Sequence, residues 1–307
     1  MSSRLIIGTG YLGKRIAEAW RLQGDTVFTV TRSPVTAEFF ALEGFRPIIA
    51  DVTRPETLSR LPVVDTMVFC VGYDRKGDDS PHEIYAGGLR YVLDSPAGES
   101  GCVILISSTG VYGDHAGDWI DESSPTNPLR PSAQALLKAE ESLRLSAAGT
   151  RSIVLRLGGI YGPGRIPLLR KLQRDTPLPG DAEAVINLIH VDDAVQAVLM
   201  ANRKAPRPSL FNVSDGNPVT RAFFYGELAR LLNLPSPKFE NPSRHSLSKT
   251  AEGEPVGVAA RGTGHKQVSN AKIRRELGFS CRYPSYKQGL PAVVQEGLGG
   301  DASADRV

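Results

Sequence analysis

Apolar positions in the first half of this chain come in short, strand-like runs. Residues 5–7, 26–31, 47–50, 66–71, 103–107 and 152–157 each read as a strand. Runs apolar on both faces belong in a parallel sheet covered by helices on each side. Between most of these runs, apolar residues recur at helical spacing. Leu12, Ile16, Ala19 and Trp20 form one such stripe, and Gly24 stands where a glycine ends a helix. The alternation predicts an α/β fold, a doubly wound parallel sheet with a smaller C-terminal lobe. Residues 1–162 and about 186–215 are expected to form the sheet domain, with the lobe over about 163–185 and 216–298. Within the lobe, helices are predicted over 219–232, over 271–277 with Gly278 as its stop, and over 284–296. Residues 241–264 are polar and glycine-rich and read as a mobile loop beside the cleft. Residues 299–307 read as a frayed, disordered tail.

The first strand runs into Gly8, Gly10 and Gly13 at G-x-G-x-x-G spacing, and a helix opens at Tyr11 and Leu12. Strand, tight turn and helix in this order suit a pyrophosphate. Gly8 permits the turn, Gly10 lets the backbone approach phosphate, and Gly13 lets helix pack against strand. The free amides and the positive dipole end of the helix face the anion. Glycines in a purely structural turn are the alternative.

Composition narrows the class further. The 307 residues carry 36 Lys and Arg against 33 Asp and Glu, a net charge of +3, with no basic run interleaved with aromatics. Nucleic acid is therefore not an expected partner. Cys70, Cys102 and Cys281 form no C-x-x-C pair, so neither a metal site nor a disulfide framework is expected. No apolar stretch approaches transmembrane length, and residues 1–4 leave no room for a signal peptide, so the expected location is cytoplasmic and the membrane is no partner.

The second strand ends in Thr31, Arg32 and Ser33, where a site for NAD usually places a carboxylate for the ribose 2′-hydroxyl. A guanidinium between two hydroxyls suits a 2′-phosphate, so NADP(H) is preferred over NAD(H). Arg32 as an ordinary surface residue is the alternative. Asp51 and Val52 follow the third strand, where a carboxylate can meet the adenine edge or cap the helical turn suggested by residues 54–56. Val71 and Gly72 end the fourth strand and bring backbone close to the adenosine ribose.

Residues 103–113 read VILISSTGVYG. Ser-Ser-x-x-Val-Tyr-Gly after an apolar strand resembles the extended short-chain dehydrogenase/reductase superfamily, the NAD(P)-dependent epimerase/dehydratase group. LRLGGIYGPGR at 155–165, NLIHVDDA at 187–194, Phe211-Asn212-Val213 and residues 274–278 extend the resemblance over roughly 3–295. It implies that Ser108 hydrogen-bonds a substrate carbonyl or hydroxyl. The alternative is that Ser107 and Ser108 only satisfy backbone groups at the strand end.

The same resemblance exposes a departure. The group's chemistry uses Tyr-x-x-x-Lys on a helix, where four-residue spacing puts both side chains on one face. Two anchors, the spacing from Ser108 and a glutamate at Glu141, place that pair on Ala133 and Leu137, which cannot exchange protons. A shift of one residue brings Lys138 into line with Gln134, which does not titrate either. Lys138 is a candidate ligand of the nicotinamide ribose, or a solvated surface lysine. Tyr85 stands where the group commonly has asparagine. The pattern is similar to atypical subgroups that keep the cofactor site without the tyrosine.

Other proton carriers lie near the expected cleft: Asp114, His115, Asp118, Asp121 and Glu122 in one loop, and His190 in the segment that returns to the sheet. His190 reads as a residue that orders backbone. Tyr112, Tyr161 and Arg165 are candidate substrate contacts, with a structural role the alternative for each. The expected function is an NADP(H)-binding oxidoreductase or epimerase-like enzyme acting on a small hydroxy or keto substrate, sugar-like in one version. A non-catalytic NADP(H)-binding redox sensor is the alternative. Monomer and homodimer are both compatible with the sequence.

Overall fold

The structure is a computed structural model that describes residues 1–73, 77–240 and 264–297. Seven strands form one parallel sheet. They are β1 (Ser3–Ile7), β2 (Thr26–Thr31), β3 (Arg46–Ile49), β4 (Thr66–Phe69), β5 (Val103–Ser108), β6 (Ser152–Leu157) and β7 (Ser209–Val213). Their order is β7-β6-β5-β4-β1-β2-β3. The order reverses between β1 and β4, which leaves a crevice at the carboxyl edge where a doubly wound sheet binds ligand.

The helices are α1 (Tyr11–Leu22), α2 (Pro34–Leu42), α3 (Gly88–Leu93), α4 (Pro131–Leu145), α5 (Leu169–Gln173), α6 (Val191–Lys204), α7 (Arg221–Leu231), α8 (Ala271–Leu277) and α9 (Tyr286–Gln295). Alternate residues of each strand feed two cores. Ile6, Val68, Ile104 and Ile153 pack under α1 and α6 with Ile16, Trp20, Ala194 and Val198. Leu5, Ile7, Met67, Phe69, Leu105 and Val154 face the other layer, with Leu89, Val92, Ala139 and Leu143 of α3 and α4. A third cluster stands apart, built from Tyr161, Leu172, Leu178, Phe224, Leu228 and Leu290. It gives the segments after β6 a core of their own.

Local chemistry explains the element ends. Gly24 (φ +84°) follows α1 and Gly278 (φ +73°) follows α8, each in the left-handed region a helix stop requires. Ser33 caps α2 through Thr36 N, and Thr220 caps α7 through Phe223 N. The helical turn at Pro55–Arg60 has no side-chain cap. Asp51 does not cap it, a correction to one of the two roles expected of that residue. Its Oδ1 instead accepts from the backbone amide and hydroxyl of Thr53, 3.0 and 2.9 Å away. An Asx turn has claimed the carboxylate before the helical turn begins.

The loop expected over 241–264 lies, apart from Gly264, outside the described residues, as does the tail expected over 299–307. Among the described residues no helix is long and apolar enough to cross a membrane. Among them, too, no group of three or more His, Cys, Asp or Glu could hold a metal ion.

Candidate functional site

Four strand ends meet at the crevice. Gly8 follows β1 with φ +98°, and a side chain there would press on the backbone of Val71 at 2.6 Å. A Cβ on Gly13 would collide with the carbonyl oxygen of Gly8. Both positions are therefore glycine for steric reasons. Gly10 differs, because nothing lies within 4 Å of a Cβ built there. Open space thus faces the N-terminus of α1, and no side chain caps that end. An uncapped helix start with free space before it fits a phosphate. Leu12 is buried in the core and can contribute only its backbone.

Around this turn the other expected residues take their places. Thr31, Arg32 and Ser33 stand at the end of β2 and Asp51 and Val52 beyond β3, with the Arg32 guanidinium 4.0 Å from the Asp51 carboxylate. Arg32 is largely exposed, so it can turn toward a ligand at little cost. Thr31 Oγ1 accepts from Ser33 N. Val52 is buried against Gly88. Gly72 is exposed, with nothing within 4 Å of its Cβ position. The Cys70 thiol donates to Gly8 O at 3.0 Å, and burial pushes its pKa up to about 12. It braces the turn as a neutral thiol. These residues together fit a dinucleotide.

A second turn lies at the end of β5. Ser108 Oγ accepts from Gly110 N at 3.1 Å. A methyl group placed on Gly110 would lie 3.3 Å from Ser108 Oγ, 3.6 Å from the Ala133 methyl and 4.0 Å from Arg130 Nη2. Those three groups therefore surround one point, and Ala133 of α4 stands beside Ser108. Leu137, one turn on, packs against the cluster of Val111, Tyr112, Ile120 and Val268. Lys138 points to solvent and pairs with Glu141 at 2.6 Å, which gives it the surface role.

Beneath Ser108 runs a buried polar chain. Ser107 Oγ donates to Glu140 Oε1 at 2.5 Å, and Arg156 grips the same carboxylate through Nε and Nη2, the closest contact 2.6 Å. Glu140 is 8% exposed and Arg156 5%. The Arg156 guanidinium covers the Tyr112 ring at 4.7 Å, and the Tyr112 hydroxyl donates to Asn212 Oδ1 at 2.8 Å. Asn212 N donates in turn to Glu122, whose pKa burial raises.

Several expected contacts therefore have other roles in this geometry. Tyr112 is fully buried inside that chain. Tyr161 is also fully buried, edge-on to His190 and Phe224. Arg165 lies over the Tyr11 ring at 5.3 Å, on the nucleotide side and at the mouth of α1. Tyr11 itself donates to Pro163 O at 3.0 Å. His115 Nε2 sits between the carbonyls of Tyr112 and Pro125, at 3.1 and 3.2 Å. His190 Nδ1 accepts from Asp192 N and caps α6, and burial lowers its pKa to about 4. It orders backbone as a neutral ring. Tyr85 lies in a single π-helical turn, Glu83–Gly87, and accepts from Tyr73 N at 3.1 Å.

Sequence reasoning missed Glu140 and Arg156. A signal existed: a glutamate on the buried stripe of α4, seven residues past Ala133, and an arginine inside an otherwise buried strand. Opposite charges at two such positions call for one another.

An open parallel sheet with a glycine turn and an uncapped helix at its switch point defines a dinucleotide-binding protein of the doubly wound class. A profile of the NAD dependent epimerase/dehydratase family matches residues 5–214, and the chain belongs to that family. It is 28% identical to Protein YeeZ of Escherichia coli (strain K12), over 92% of this chain and 97% of that protein. It is 25% identical to a 3-diazoavenalumate denitrifying reductase of a Streptomyces species, over 92% of this chain and 96% of the relative. Among solved structures, dTDP-glucose 4,6-dehydratase DesIV from Streptomyces venezuelae, solved with NAD, superposes with a TM-score of 0.79. That match covers 98% of this chain and 99% of the other at 20% identity, a likeness of fold.

Proposed function

We propose that this protein is an NADP(H)-linked oxidoreductase or epimerase-like enzyme of atypical active site, acting on a small hydroxy or keto substrate. The observation that carries the proposal is the contrast between an intact nucleotide frame and Ala133 and Leu137 in place of tyrosine and lysine. Bound nicotinamide would supply hydride exchange. The chain's own residues do the rest. Gly8, Gly10 and Gly13 with the amides of Tyr11 and Leu12 take the pyrophosphate. Thr31, Arg32 and Ser33 take the 2′-phosphate and favour NADP(H) over NAD(H). Asp51 meets the adenine edge, while Val71 and Gly72 border the ribose. Ser108, partly buried at the end of β5, orients the substrate oxygen through its Oγ. The cytoplasm is the matching compartment.

One departure supports a second reading. With no titrating pair on α4, a non-catalytic sensor of NADP(H) redox state explains the same substitutions. Hydride loss from stereospecifically deuterated NADPH decides between them, read across a panel of carbonyl substrates. Turnover that falls on Ser108→Ala supports the enzyme. Tight NADPH binding with no turnover on any substrate supports the sensor, and failure to bind either nucleotide overturns both.

A further inference from the structure

A turn past β6 is fastened by side chains to the helix that opens at the glycine turn. Gly162 and Arg165 close it, with Gly162 N donating to Arg165 O at 3.0 Å and Arg165 N to Gly162 O at 2.9 Å. Between them the carbonyl of Pro163 accepts twice from α1. Tyr11 Oη donates to it at 3.0 Å and Arg15 Nη2 at 3.3 Å.

The two donors are tied to each other as well. Arg15 Nη1 donates to Tyr11 O at 2.9 Å, and its guanidinium lies over the Tyr11 ring at 4.0 Å. The fit is close. A Cβ on Gly162 would stand 2.6 Å from Tyr11 Oη and 2.6 Å from Val191 Cγ1, so the turn is wedged between the first residues of α1 and α6. Tyr11 is the first residue of α1, and helical side chains lean toward the N-terminus of their own helix. Its ring therefore stands beside the open space in front of that helix, and so does the turn it holds. Ile166, the next residue, is buried in the third core cluster. The same contact thus joins the nucleotide turn to the start of the lobe.

We infer that the Tyr11 phenol and the Arg15 guanidinium clamp the 162–165 turn as a wall of the pyrophosphate site and so slow the release of NADP(H). The inference rests on the cofactor reading above. Tyr11 then has two roles, its amide facing the anion and its hydroxyl holding the wall. Both side chains position the turn and neither touches the reacting atoms. The pyrophosphate is common to the two nucleotides, so the clamp acts on NADPH and NADH alike, unlike Arg32.

The test is stopped-flow displacement of NADPH, and separately of NADH, from the full chain. Hydrogen exchange at the Arg165 amide is followed beside it in the nucleotide-free chain. Tyr11→Phe keeps the ring and removes one donor, and Arg15→Met removes the other. Each should speed release of both nucleotides by about fivefold, the weight of one hydrogen bond, and change association by less than about twofold. Each should also speed exchange at Arg165 N. Arg21→Gln, on the last turn of α1 where Arg21 lies over Phe45, should move neither readout, which separates the clamp from a general loosening of the helix. Thermal unfolding shows which variants are folded. Wild-type release in both donor-removing variants, a loss carried by association alone, or the same acceleration in Arg21→Gln overturns the clamp. If neither nucleotide binds the wild-type chain, the cofactor reading falls, and exchange alone judges the clamp: an unchanged Arg165 amide in Tyr11→Phe overturns it.

Discussion

The turn after β1 and the turn after β5 sit on the same edge of one sheet, yet they are built by different means. The first is made by what is missing. Gly8 and Gly13 exclude side chains because backbone already fills the space, and open room is left beside Gly10. The second is made by side chains from distant parts of the chain. Ser108 rests on a strand whose neighbour Ser107 is tied to Glu140, then to Arg156 and, through the Tyr112 ring, to Asn212. A site built from backbone tolerates little change at a few positions. A site built from side chains can lose its acid–base groups and still fold, so long as its buried charges stay paired.

Breaking that buried pair should have the largest effect. Glu140→Ala leaves the Arg156 guanidinium buried and unpaired, and should cost about 3–5 kcal/mol, read by urea denaturation. Glu140→Leu combined with Arg156→Met should recover much of the loss. Equal losses in the single and double variants would mean the pair is not the support of the β5 turn. Next comes the backbone-built turn. Gly13→Val should cost about 1–3 kcal/mol through overpacking and remove measurable NADPH binding in a fluorescence titration. Retained binding would show that the turn can shift. Arg32→Ala should weaken NADPH by about tenfold, near 1.4 kcal/mol, and leave NADH unchanged. Equal losses for both nucleotides would take the 2′-phosphate from Arg32.

The smallest effect is a pH dependence at Asp215, just past β7. Burial pushes the Asp215 carboxyl up to about 7, with the Asp193 charge adding to it and the Asn217 amide opposing it. The native state thus holds a proton that the unfolded chain gives up near the ordinary carboxyl value of 3.8. The stability this proton supplies is complete below that value and is lost as pH rises through about 7. Asp215→Asn, which keeps the acceptor for Asn217 N, should therefore raise the melting temperature more at pH 8 than at pH 4. An equal change at both values would show that Asp215 ionises freely in the fold.

How much could be read in advance follows the same division. Strands 26–31 and 152–157 and the helix over 271–277 coincide with β2, β6 and α8, because short runs rich in apolar and β-branched residues and left-handed stops are local signals. Ala133 and Leu137, four residues apart, share the face of α4 that meets the β5 turn, since spacing along a helix is local too. The burial of Lys266 was not legible. It depends on a strand pairing across about 150 residues, Gln267 to Trp119, that no periodicity announces. Tyr112 and Tyr161 went the other way. Each stands in a motif that suggests a cleft, and each is held in the interior by partners far along the chain.

Leu137 works as a rivet between two layers. It packs with Val111, Tyr112, Ile120 and Val268, so the helix α4, the turn after β5 and the segment around Val268 are held by one small apolar contact. A lysine there would bury an ammonium against that cluster and loosen the strand beside it. The three pieces are therefore expected to move together or not at all.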